Sequence, residues 1–145
     1  MKVWFSLITA LALTQLGYTQ DLRSTLFEAA NEALEEAQSA NAPLLAPRGY
    51  SNGLEAYADA ANDLARGRNI DRTQNKLTEA ISSFNGAAVA AREASITLMT
   101  LIESRNDALN VRADNFATAL WTEAEETFNS ASLALETDDN SLAET

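Results

Sequence analysis

The chain has 145 residues, a net charge of −11, no cysteine and no histidine. That length suits one domain with a modest core. The missing residue types exclude disulfides, thiolate nucleophiles, Ser-His-Asp and Cys-His catalysis and histidine-ligated metals, so acid–base chemistry is left to Asp, Glu, Lys and Tyr. The acidity disfavours nucleic acid and electrostatic attachment to an anionic bilayer, and it suits an exported protein that stays in solution.

Residues 1–19, within MKVWFSLITALALTQLGYTQ, form a signal peptide in this reading. Lys2 is the positive start, Val3 to Leu13 the short apolar core, and Gly17-Tyr18-Thr19 the small-x-small cleavage site. The apolar run is shorter than the ~20 residues of a spanning helix, so the mature chain, 20–145, is expected to carry no transmembrane segment.

The mature chain is expected to be all-α, an elongated antiparallel hairpin or coiled-coil-like bundle of three to four alanine-rich helices. Leu22, Leu26, Ala30, Ala33, Ala37 and Ala40 follow helical spacing, with Glu28, Glu32, Glu35 and Glu36 on the other side. Pro43, Pro47, Gly49 and Gly53 break the helix in the stretch NAPLLAPRGYSNG, a joint expected over 42–50. A second helix from near Ser51 turns Leu54, Tyr57, Ala61 and Leu64 inward and stops at Arg66-Gly67, where glycine closes the C-terminus. Asp71 then caps a third helix, with Gln74 completing a capping box. That helix carries Leu77, Ala80, Ile81, Phe84, Ala88, Ala91, Leu98, Leu101 and Ile102 inward, with a weak point at Asn85-Gly86. No stretch alternates as a strand does.

Shifting the chain by 71 residues aligns the joint with a second region. Ala37, Ala42 and Ala46 fall on Ala108, Ala113 and Ala117, and Tyr50, Tyr57, Ala60 and Leu64 fall on Trp121, Phe128, Ala131 and Leu135. The turn at Gly67-Arg68-Asn69 falls on Asp138-Asp139-Asn140. The single domain is therefore read as an internal repeat, complete over 22–92 and incomplete over 93–145.

The pattern Ala46-Pro47, spaced aromatic, Leu64 and Gly67, then Trp121, Glu123-Ala124-Glu125 and Leu135, resembles a group of exported bacterial helical domains. These are domains of unknown function often found N-terminal to OmpA-like peptidoglycan-binding domains. The chain departs from the pattern at Gly67-Arg68 and Ala117-Thr118. The resemblance implies a periplasmic or envelope location, a structural or adaptor role, and an envelope or peptidoglycan-associated partner; it assigns no active site.

Three features are candidate sites. Tyr50 with Tyr57, and Trp121 with Phe128, are seven apart and so share a face, as core anchors or as an aromatic platform for a glycan or a partner helix. Arg66, Arg68 and Arg72 form the one basic cluster, read first as helix-end electrostatics and second as a phosphate contact. The acidic stripe of Glu28, Glu32, Glu35 and Glu36 is a solvated face, since Ca²⁺ requires six to eight oxygens. The leading expectation is a non-enzymatic envelope scaffold or adaptor without metal or cofactor; the alternative is a glycan- or small-molecule-binding module, with secretion as the alternative location. Finally, Ser141-Leu142-Ala143-Glu144 reads as a capping box opening a further helix after the turn at 138–140, which casts the chain as a fragment of a longer protein.

Overall fold

The computed structural model describes residues 15–143, with side chains described from 23 to 137. Val3–Leu13, the apolar core of the expected signal, lies outside the described residues. The described chain is all helix: α1 (Gln15–Ser39), α2 (Ala42–Leu45), α3 (Pro47–Ala65), α4 (Ile70–Thr97), α5 (Met99–Asn110), α6 (Ala113–Phe116) and α7 (Thr118–Ala143). Among the described residues no helix is long and apolar enough to cross a membrane.

Among the described residues seven helices replace the expected three or four because both joints are themselves helical and Leu98 divides α5 from α4. The break at 42–50 narrows to Asn41, which is left-handed at φ 62°, and Ala46, at φ −141°. Pro43 and Pro47 sit in the first turns of α2 and α3, where a missing N–H costs nothing. Helix therefore resumes at Pro47 rather than Ser51, and Tyr50 belongs to α3. Gly67 closes α3 in a Schellman motif: the N–H of Arg68 donates to the Asp63 carbonyl and that of Gly67 to the Leu64 carbonyl, each at 3.0 Å. The cap of α4 is Asn69, whose Oδ1 accepts from the Asp71 N–H at 2.9 Å, so Asp71 lies in the first turn and is not the cap. Asn85-Gly86 does not interrupt α4; the long helix instead runs to Thr97, and a one-residue turn at Leu98 separates it from α5.

α4 is the axis of the first half, lying against both α1 and α3. The short 66–69 link makes α3 and α4 antiparallel neighbours. Their close approach rests on Gly53: a Cβ there would lie 2.5 Å from Phe84 Cδ1, inside any tolerable contact. Phe84 is fully buried in a bed of alanines that includes Ala56, Ala80 and Ala88. A second cluster joins Phe27, Ala30, Ala60 and Leu77. The inward face of α3 is Gly53, Ala56, Ala60 and Asp63, rotated from the expected one; Leu54 faces solvent and Tyr57, Ala61 and Leu64 are half-buried.

α7 docks on α2, α3 and α4 through its second half. Phe128 and Leu135 join the main core, and the buried Glu136 carboxylate accepts the Arg48 N–H at 3.1 Å and the Gly49 N–H, capping α3. The expected turn at Asp138-Asp139-Asn140 is absent: α7 continues as helix to Ala143, so Ser141 opens no new element. Asp138 stands 71 residues after Gly67, so no glycine terminates the helix there.

Candidate functional site

The two joints have one backbone conformation. Arg112, 71 residues after Asn41, is left-handed at φ 58°, and Ala117, at φ −132° and ψ 44°, repeats the geometry of Ala46, at φ −141° and ψ 59°. The hydrogen bonds match in turn: the Asn41 N–H donates to Gln38 and that of Arg112 to Leu109, both at 2.9 Å. Likewise the Ala46 N–H donates to Ala42 at 2.9 Å and that of Ala117 to Ala113 at 2.8 Å. α5, α6 and the start of α7 thus take the same path as α1, α2 and the start of α3.

In the first half this path is covered. Tyr50 and Tyr57 are half-buried, and both tie α1 to α3. The Tyr50 ring meets Phe84 at 5.8 Å and its hydroxyl accepts from Gln38 at 3.1 Å. Tyr57 stands edge-on to Phe27 at 5.2 Å and donates to Asn31 Oδ1 at 2.8 Å. Across them lies α4, so neither ring forms an open platform.

The second half leaves the same face open. α5 and the first half of α7 diverge around an apolar groove of about 720 Å³, whose walls include Leu101, Ala108, Leu120, Trp121, Ala124 and Phe128. Leu101 is 51% exposed and Leu120 71% exposed, whereas their first-half counterparts Ala30 and Gly49 are buried and half-buried. Trp121 is half-buried along the groove and Phe128 is buried at its inner end, where the groove runs into the main core.

Arg105 organises the groove. Its guanidinium meets Glu125 in a two-pronged pair, Nε to Oε1 at 2.8 Å and Nη2 to Oε2 at 3.0 Å. The same cation lies 5.6 Å from the Trp121 ring centre and 6.0 Å from that of Phe128. The pair is absent from the periodicity pattern but leaves a trace in the internal repeat. At the 71-residue shift Arg105 falls on Leu34 and Glu125 on Leu54, so two apolar positions become opposite charges together.

The basic cluster serves a carboxylate. Asp63 is buried, and its oxygens accept from Arg68 at 3.0 Å and Arg72 at 2.6 Å. The Arg72 hydrogen bond, reinforced by the charges of both arginines, outweighs burial and holds the Asp63 carboxyl below the usual carboxylate range. Arg66 is not part of this triad; its backbone closes α3. On α1, Glu28, Glu32 and Glu35 are exposed, and Glu36 pairs with Arg92 of α4 at 2.7 Å. Among the described residues no group of acidic side chains is arranged to hold a metal ion.

No protein family, characterised protein or solved structure matches this chain. The site is therefore defined by the groove alone: Trp121 and Phe128 with Arg105 and Glu125, set between two helices on the path that α4 covers in the first half.

Proposed function

We propose that this chain is an exported, non-enzymatic helical adaptor of the cell envelope that works by holding another molecule on its surface. The observation that carries the reading is the open apolar groove between α5 and α7, beside an equivalent face on which α4 lies. An exposed apolar surface of this kind is costly in water and marks a place of interaction. Export rests on the N-terminal segment, and the envelope setting with its protein or peptidoglycan-associated partner rests on the resemblance of the alanine, aromatic and turn pattern.

A photo-crosslinking residue at position 120, with a control at the exposed Glu32, tests the reading in envelope preparations of an expressing cell. Protein adducts from position 120 but not from position 32 are expected. Equal adducts from both, or none from either, would contradict it. A second reading, a glycan- or small-molecule-binding module, is favoured by Trp121 lining a groove whose volume falls within the ~300–1,000 Å³ range of ligand sites. Carbohydrate adducts at position 120 in place of protein would select it.

A further inference from the structure

We infer that the groove between α5 and α7 is the seat of an α-helix presented by another polypeptide, a helix with a small-residue face and a basic flank. The inference rests on the adaptor reading and names what the adaptor holds. Its starting point is the internal equivalence. The α1–α2–α3 path receives α4, and the α5–α6–α7 path has the same joint geometry, residue for residue. The groove is also continuous with an interface already formed, because Phe128 at its inner end packs in the core around α4. A helix entering it extends that core.

The side chains define the helix. In the first half the floor is small and the incoming knob large: Gly53 admits the Phe84 ring, and the Cβ of Ala87 would come within 3.2 Å of one on Gly49. The second half reverses this. Ala124 stands at the place of Gly53, Leu120 at that of Gly49 and Leu101 at that of Ala30. A phenylalanine at the Phe84 position would strike the Ala124 methyl, so the occupant presents alanine, serine or glycine there. Its charge follows from the same comparison. Glu36, which holds Arg92 of α4 at 2.7 Å, has Asp107 as its counterpart, and Asp107 takes part in no ion pair among the described residues. The occupant carries a cation at that register. The counterparts of Asp59 and Asp63 are Ser130 and Ala134, so no cation is needed further along.

A second copy of this chain is a poor occupant. Two concave grooves facing each other enclose a void, and two chains of charge −11 repel. The chain's own α4 carries the phenylalanine that the groove refuses.

The test uses the full chain with Trp4→Phe, which leaves Trp121 as the sole tryptophan. The probe is a synthetic peptide of residues 70–97 carrying Phe84→Ala. Titration is expected to shift Trp121 emission to the blue with saturation. The unaltered 70–97 peptide is expected to bind at least ~10-fold more weakly, the consequence of one overpacked contact. Ala124→Gly in the protein should remove that difference, Arg92→Glu in the peptide should weaken binding several-fold, and Leu101→Glu in the protein should abolish it while far-UV circular dichroism stays unchanged. No saturable shift, equal binding of both peptides to the unaltered groove, or a blue shift that grows with protein concentration alone as sedimentation reports a dimer would each overturn the inference. Protein adducts at position 120 without peptide binding would remove the small-faced helix and leave the adaptor reading in place.

Discussion

The first and second halves of this chain follow the same path through their joints and differ in what lies on it. Over 15–97 the path α1–α2–α3 is closed by α4, and its aromatics spend their hydroxyls tying α1 to α3. Over 99–143 the path α5–α6–α7 stays open, and the equivalent aromatics, Trp121 and Phe128, lie against the Arg105–Glu125 pair. A joint geometry does not by itself make a core. The covering helix α4 does, and where no helix lies on the path among the described residues the same geometry leaves an apolar groove exposed.

The largest expected effect lies in the closed half. Phe84→Ala empties the centre of the alanine bed and should cost ~3–5 kcal/mol, while Leu101→Ala in the open half should cost under ~1 kcal/mol because its side chain is half in water. Equal losses in urea melts would break the comparison. Next comes the pair Gly53→Ala and Ala124→Gly. The first drives a methyl into a rigid ring and should cost ~1–3 kcal/mol. The second should cost no more than the ~1 kcal/mol of helix propensity lost on replacing alanine with glycine.

Glu136→Gln probes the seam between halves. The amide can accept from only one of the two N–H groups at the start of α3, leaving the other unpaired at a cost of ~1–3 kcal/mol by urea titration. Asp63 supplies a pH signature. Its carboxyl is depressed by the Arg72 hydrogen bond and the neighbouring arginine charges, so its contribution is present above its unfolded value, near pH ~4, and is lost as pH falls through the folded value. Asp63→Asn should flatten the fall in stability below pH ~4; an unchanged slope would show that the triad adds nothing. The smallest effect is a gain: Arg112→Asn keeps the left-handed joint with a residue that tolerates it, and should raise stability by up to ~1 kcal/mol.

The helical class and the equivalence of the joints were legible because alanine periodicity and the paired markers Ala42/Ala113, Ala46/Ala117 and Tyr50/Trp121 are local signals. The inward face of α3 was not. Periodicity points to the large residue Leu54, but close packing against Phe84 selects Gly53 and Ala56 and leaves the leucine outside. Asp63 faces inward for a reason no single-helix pattern carries, since its arginines come from the next turn and the next helix. The cap of α4 lies two residues before the expected Asp71 because Asn69 and Asp71 are both good caps and only the Schellman closure at Gly67 decides between them. The missing turn at Asp138-Asp139-Asn140 has a similar cause: the polar residues permit a turn, but no glycine enforces one. Of the candidate site, Trp121 and Phe128 were visible in the sequence; Arg105 and Glu125 required the geometry.

The central claim is that the two halves share a joint and differ in cover, and amide hydrogen exchange of the full chain tests it most directly. Covered amides exchange through global unfolding and uncovered ones through smaller openings. The amides of α3 and α4 are expected to exchange at least ~100-fold more slowly than those of α5 and the first turns of α7, a difference of ~2.7 kcal/mol in opening energy. Equal protection across α4 and α5 would contradict it.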